Sequence, residues 1–157
     1  MQSTHVKSTQ EIPSHPIILY DGVCGLCNRL NRFVLKRDRE DRFRFASLQS
    51  EVANLILNRH GVSASDLDTV YVALNVEQTE ERLLARSEAI IFVFSALGGF
   101  WSFAATVFRA VPRFLRDRLY NLVAHNRYRV FGKYDVCLMP DAKYAAKFLD
   151  ASDTRRA

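Results

Sequence analysis

Cysteine is scarce in this chain, with three in 157 residues. That is too few for the disulfide scaffold of a small secreted domain, and the number is odd. Proline (4) and glycine (6) are also few, which excludes collagen-like and low-complexity architectures. The opening residues, MQSTHVKSTQEIPSHP, hold no apolar stretch of signal-peptide type, so the expected location is the cytoplasm. No helix-turn-helix, zinc-finger or RNA-recognition signature occurs, and no nucleic-acid partner is expected. Internal repeats are missing as well. What is present is an ordinary globular composition, 48% apolar and 25% charged. A chain of this length suits one domain burying roughly 70% of the surface of its unfolded state.

The order of apolar runs and breakers sets the expected fold. Residues 1–15 are polar and read as a flexible arm. Ile17–Tyr20, between Pro16 and Asp21-Gly22, reads as a buried strand. Leu26, Leu30, Phe33 and Val34 share one face of a 3.6-residue period, so a helix follows directly. Phe43–Ala46 is a second strand, and a β–α–β crossover makes the two strands parallel. Glu51–His60 is a helix stopped by Gly61. Thr69–Leu74 and Arg82–Ala85 pair as a hairpin across the charged turn Glu77–Glu81. Ser87 is placed to cap the next helix, with Glu88 in its first turn. This βαβαββα order predicts an α/β, thioredoxin-like fold: a small mixed four-stranded sheet with flanking helices, within one domain over residues 16–150. A helical C-terminal extension covers about 99–150. In it a helix from Pro112 to about Asn126 would pack through Leu115, Leu119, Leu122 and Val123, and a short helix would open at Pro140 with Tyr144, Phe148 and Leu149 packing. Residues 151–157 should fray.

The chemistry concentrates in Cys24-Gly25-Leu26-Cys27, set between the first strand and the first helix. At a helix N-terminus, free N–H groups and the dipole stabilise a thiolate, which lowers a cysteine pKa from its usual value of about 8.5. Cys24 would be the nucleophile and Cys27, one turn inside, the resolving thiol. Gly25 would let a partner sulfur approach, and Leu26 carries no charge to obstruct it. Asp21 has two readings, as a local cap of the turn or as the group that accepts or relays the proton of Cys27. A zinc site is the competing reading of the pair. It lacks a second ligand pair, because Cys137 stands alone and His60 and His125 are isolated. No metal and no bound cofactor is therefore expected. An inert, packed cysteine pair is the third reading. Cys137 is either a packing residue or a third participant in exchange.

These residues resemble the DCC family of thiol–disulfide oxidoreductases, named for Asp-x-x-Cys-x-x-Cys. The motif here is Asp21-Gly22-Val23-Cys24-Gly25-Leu26-Cys27-Asn28. The resemblance extends to Arg44-Phe45-Ala46-Ser47-Leu48-Gln49-Ser50 and Arg86-Ser87-Glu88-Ala89. It continues in Val111-Pro112-Arg113-Phe114-Leu115-Arg116-Asp117 through Tyr120, Asn126-Arg127-Tyr128-Arg129, Phe131-Gly132 and Cys137-Leu138-Met139-Pro140, spanning roughly residues 17–142. It implies a thioredoxin-like fold and a disulfide reductase acting on protein or low-molecular-weight disulfides. Thioredoxins carry a proline just before the third strand, and here Asp68-Thr69-Val70-Tyr71 has none. By analogy with glutaredoxins, Ser87 is a candidate donor to a ligand carboxylate. Arg116 is a weaker candidate anchor for an anionic substrate, and Arg116 and Asp117 otherwise read as helix-surface groups.

Two stretches support an alternative of another class. Ala89–Phe108 carries no charge over 20 residues, the length of a membrane span, although Gly98-Gly99 interrupts it. The basic residues Arg109, Arg113, Arg116, Arg118, Arg127, Arg129 and Lys133 follow, opposed by Asp117 alone. They account for much of the net charge of +5 and read as a solvated helix face or a contact with an anionic partner. The alternative is a non-catalytic interaction module that binds a membrane protein or lipid through hydrophobic helices 89–110 and this basic region. The resemblance keeps it in view, since family members occur joined to membrane domains.

Overall fold

The computed structural model describes residues 15–63, 65, 69–134 and 141–150. The expected arm and tail, together with Cys137, Pro140 and Asp68, lie outside the described residues, apart from His15 at the end of the arm. The elements are β1 (Ile17–Tyr20), α1 (Gly25–Arg37), β2 (Arg44–Ser47), α2 (Glu51–Arg59), β3 (Tyr71–Leu74), β4 (Arg82–Ala85), α3 (Arg86–Leu97), α4 (Gly99–Ala110) and α5 (Arg113–Phe131). A 3-10 turn over Ala142–Lys147 follows.

The strands form one mixed sheet in the order β2-β1-β3-β4. β1 pairs parallel with β2, with Ile18 opposite Phe45. It pairs antiparallel with β3, and β3 antiparallel with β4. Alternation along the strands sends Ile18, Tyr20, Phe45 and Val72 to one face, where they pack with Val34 and Leu35 of α1 and Ala89 and Val93 of α3. Ile17, Leu19, Ala46, Tyr71 and Ala73 face the other way, onto Ala53, Ile56 and Leu57 of α2. Two cores on opposite faces of a four-stranded mixed sheet give the α/β architecture expected from the sequence, consistent with a thioredoxin-like fold. Ser50 caps α2: its hydroxyl accepts the Ala53 N–H at 3.2 Å and donates to the Ser47 carbonyl at 2.6 Å.

The uncharged stretch is broken where its glycines predict. Gly98, at φ 73°, separates α3 from α4, which fold back on each other. Among the described residues no helix is long and apolar enough to cross a membrane.

Two expectations are corrected. The helix after the hairpin is not capped by Ser87. β4 stays paired with β3 as far as Ala85, Arg86 turns at φ 56°, and α3 has begun before Ser87 is reached, with Ala85 at its N-cap and no side-chain cap bond. The stripe Leu115, Leu119, Leu122 and Val123 does not face inward either. These four are 42–62% exposed, because α5 runs on to Phe131 and turns Arg116, Ala124 and Arg127 into the protein.

The outer edge of β2 is closed by residues 148–150. Leu149 N–H donates to the Phe45 carbonyl at 2.9 Å, and Ser47 N–H donates to the Asp150 carboxylate at 2.9 Å. Phe148 stacks on Phe45, with centroids 5.0 Å apart, and meets Tyr20 edge-on. Covering an edge this way blocks strand pairing with another chain. Phe148→Ala is expected to lower stability by about 3 kcal/mol and to increase self-association. Urea unfolding and light scattering check the two effects, and an unchanged unfolding midpoint would remove Phe148 from the core.

Candidate redox site

β1 ends at Tyr20, and the chain enters α1 through a tight turn. Cys24 N–H donates to the Asp21 carbonyl at 3.2 Å. The Asn28 amide donates to the carbonyls of Gly22 (3.0 Å) and Cys24 (2.9 Å), fastening the turn to the helix. Cys24 occupies the N-cap of α1 with extended backbone (φ −83°, ψ 123°). Its sulfur accepts the Cys27 N–H at 3.4 Å. This is the N-cap bond that a serine or aspartate ordinarily makes to the third helical residue, and the x-x spacing is what puts Cys27 there. Both thiols are free.

The two cysteines titrate in opposite directions. Cys24 is lowered from 9.0 to about 6, chiefly by the hydrogen bond from the Cys27 side chain, then by the Cys27 backbone N–H and the Arg127 charge, against the opposing effect of burial. Cys27 is pushed up, because its thiol is the donor in that bond, because it is buried, and because the Cys24 charge is close. The arrangement thus favours the thiolate on Cys24 and the thiol on Cys27.

Asp21 lies beside the pair as the hub of a buried polar cluster. Its Oδ1 accepts the Val23 N–H at 3.2 Å and the Gln49 amide at 2.8 Å. Its Oδ2 accepts Arg127 at 3.2 Å and the Tyr128 hydroxyl. The Asp21 and Arg127 side chains are 0% and 2% exposed. Arg127 donates further to the Tyr128 hydroxyl at 2.9 Å. Burial and the bond to Asp21 push Tyr128 up to about 12, so it remains a donor across the physiological range.

The residues after α5 return to this turn. Gly132 (φ 83°) bends the chain. Gly25 N–H then donates to the Gly132 carbonyl at 3.1 Å and Tyr134 N–H to the Val23 carbonyl at 2.8 Å, placing Lys133 opposite Cys24. Cys24 is 0% exposed and Cys27 4%. Gly25 is buried, and the space a side chain would fill there is taken by the Phe131 carbonyl. Its missing side chain therefore makes room for the protein's own 131–134 strap.

A groove of about 310 Å³ reaches Cys27, and Leu26, Leu30, Ile90 and Phe108 are among its other lining residues. Ser87 is on its wall, but its hydroxyl donates to Asp117 at 2.5 Å, so Asp117 is not a plain surface group. Tyr120 is there too, accepting the Val70 N–H at 2.8 Å, and burial pushes it up to about 12. With its carbonyl accepting Arg86 N–H, Val70 has both backbone groups engaged just before β3. The basic run also divides. Arg109, Arg113, Arg118 and Arg129 are solvated, whereas Arg116 and Arg127 are buried. Among the described residues no metal-binding cluster of His, Cys, Asp or Glu occurs.

The structure thus brings together Asp21, Cys24, Gly25 and Cys27, with Leu26 and Ser87 on the groove wall. Reading for chemistry alone did not single out Gln49, Asn28, Arg127 or Tyr128. The signal that marks them is that all four fall inside the segments carrying the family resemblance.

Comparison with known proteins agrees with this picture. A family model described as DCC1-like thiol-disulfide oxidoreductase matches residues 18–133. Uncharacterized protein YuxK of Bacillus subtilis (strain 168) is 35% identical over 142 residues, covering 90% of this chain and 98% of that protein. The chloroplastic DCC family protein At1g52590 of Arabidopsis thaliana is 37% identical over 135 residues, covering 84% of this chain and 76% of that protein. No solved structure gives a significant match.

A Cβ at position 25 would lie 2.1 Å from the Phe131 carbonyl oxygen. Gly25→Ala is accordingly expected to push the strap away, lowering stability by about 1–3 kcal/mol and speeding alkylation of Cys24 by iodoacetamide. Thermal unfolding and mass-spectrometric alkylation rates check both. Alkylation no faster than in the wild type would show that the strap does not shield Cys24.

Proposed function

The chain belongs to the DCC1-like thiol-disulfide oxidoreductase family, and we propose that it catalyses thiol–disulfide exchange through Cys24 and Cys27, in the manner of a disulfide reductase. The observation that carries this reading is the placement of two free thiols one turn apart at a helix N-terminus, the Cys24 sulfur accepting the Cys27 N–H at 3.4 Å, a setting that lowers the Cys24 thiol. A pair used only for packing has no need of a thiolate inside the protein. The buried Asp21–Arg127 pair holds a positive charge near that thiolate.

In the proposed reaction the Cys24 thiolate attacks one sulfur of a substrate disulfide. The substrate S–S bond breaks, a mixed disulfide forms on Cys24, and the leaving thiolate takes up a proton. The Cys27 thiol gives up its proton and attacks the Cys24 sulfur. This closes a Cys24–Cys27 disulfide and releases the second substrate thiol. Two electrons pass from the pair to the substrate, and an external thiol or dithiol reductant restores the pair. Its low pKa makes Cys24 a good leaving group in that restoring step. We read Asp21 as a positioning residue: its carboxylate oxygens are committed to Val23, Gln49, Arg127 and Tyr128, and it acts through the Arg127 charge rather than as a proton relay. Gly25 and Leu26 border the reacting sulfurs on the strap side and the groove side. A cytoplasmic setting, whose thiol pools keep dithiols reduced, fits this role.

The titration of Cys24 tests the reading. Its folded pKa is lowered, so the thiolate fraction and the exchange rate should rise with pH through about 6 and then level off. Ultraviolet thiolate absorbance against pH should show this step in the wild type and in Cys27→Ser, which retains a hydroxyl donor. Cys27→Ala removes the bond that lowers Cys24 most and should raise the midpoint. Cys24→Ser should abolish both the step and disulfide reduction. A titration like that of free cysteine, about 8.5, would sink the enzyme reading.

A second reading rests on a different observation. α4 and α5 leave Phe100, Phe103, Phe114 and Leu122 62–74% exposed, beside the solvated arginines, as a surface for a bilayer or a membrane protein. Co-sedimentation with anionic vesicles, lost in Phe100→Asp/Phe103→Asp and kept in Cys24→Ser, would favour it.

A further inference from the structure

Arg116 stands apart from the other buried charges. It is 8% exposed, yet among the described residues its guanidinium makes no hydrogen bond and no ion pair, and its Nε is buried without a partner. Buried arginines are ordinarily paired, since an uncompensated charge in the interior is costly. The acids on the facing elements are engaged elsewhere: Glu88 pairs with Arg113 at 3.2 Å, and Asp117 accepts from Ser87 and lies 3.8 Å from Arg113.

The surroundings of Arg116 say what it is placed to bind. It lines the groove that reaches Cys27. It also lines a neighbouring cavity of about 440 Å³ shared with Arg82, Arg109 and Glu88. Beyond Arg116, most polar members of the groove wall are engaged: Ser87 bonds Asp117, Arg127 bonds Asp21, Cys27 belongs to the redox pair, and Tyr120 accepts from Val70, its own O–H having no acceptor among the described residues. The rest of the wall is apolar. At about 310 Å³ the groove sits at the small end of ligand pockets, a size for a small molecule rather than a folded partner.

We propose that this groove binds a small amphiphilic disulfide or dithiol carrying one carboxylate, with Arg116 as the anchor of the carboxylate and the apolar body lying between α1, α3 and α5. The assignment names a substrate class for the redox pair and rests on the exchange reading given above. The covalent step is unchanged: substrate disulfide and protein dithiol interconvert with substrate dithiol and the Cys24–Cys27 disulfide, two electrons moving and no further reactant entering in a single turnover.

Lipoate and its neutral amide, lipoamide, are suitable probes, because they share an apolar chain and a disulfide and differ in the carboxylate. Binding is measured first on Cys24→Ser/Cys27→Ser, where exchange cannot occur. Next follow the single-turnover rates at which dihydrolipoate and dihydrolipoamide reduce the Cys24–Cys27 disulfide. The acid is expected to bind and react at least about tenfold better than the amide, the scale of one charge-assisted hydrogen bond. Arg116→Met should erase that preference, read as the ratio of the acid rate to the amide rate in the same variant. Arg116→Lys, which keeps the charge, should retain part of it and guards against a folding defect in the methionine variant. Equal behaviour of acid and amide in the wild type, or a preference that survives Arg116→Met, would overturn the anchor. If dithiothreitol still reduces the pair in that case, the exchange reading stands without it. Carboxylate-selective binding with no exchange toward any dithiol would instead keep the anchor and sink the redox reading.

Discussion

The ion pair between Asp21 and Arg127 joins the first turn of the domain to its last long helix across more than a hundred residues. Removing two charges from water is unfavourable, and such a pair is repaid only when its geometry is good and further hydrogen bonds support it. Here the carboxylate has Val23, Gln49, Arg127 and Tyr128 around it. The pair fixes the rotation of α5. With Arg127 turned inward, Arg116 and Tyr120 follow on the same side, and Leu115 and Leu122 are left outside. Four residues beyond Tyr128, Gly132 ends α5, and the chain after it meets the cysteine turn. The electrostatics of Cys24 depend on the same placement, because the Arg127 charge lies near enough to favour the thiolate.

Much of the domain was legible in the sequence because strands and breakers carry it. Pro16, Asp21-Gly22, Gly61 and Gly98-Gly99 mark the boundaries, and the apolar runs between them gave the strand count, the hairpin and the split of the uncharged stretch. The cysteine pair and Asp21 were legible from spacing and placement. The orientation of α5 was not. An apolar stripe of leucines argues for burial wherever packing is driven by area alone, and here a polar face is buried instead because it completes a charge cluster made by distant residues. Arg127 looks like one more surface cation until its partner at position 21 is known. Ser87 misled for a local reason: β4 extends to Ala85, and the helix has started before a cap at that position can act.

The two sides of the redox turn are built differently. On one side the backbone of residues 131–134 lies against Val23–Gly25, and an added methyl group has no room. On the other, α1, α3 and α5 stand apart far enough to leave a largely apolar groove lined by Arg116, which has no ion-pair partner among the described residues. The sulfur bordering that groove is Cys27, the higher-pKa member of the pair. In the proposed reaction, the closed side governs how readily Cys24 is reached and the open side governs which molecule is held nearby.

The strap has a consequence for the order in which the protein is made. The cysteines leave the ribosome early, about a hundred residues before Arg127, Gly132 and Lys133 follow them. Until that late segment docks, Cys24 lacks both the Arg127 charge and the strand that runs beside it. The nascent domain therefore displays the pair uncovered, with only the local Cys27 bonds acting on Cys24. The strap and the Arg127 charge arrive only when synthesis has passed α5, so that the covering of Cys24 reports the completion of the fold.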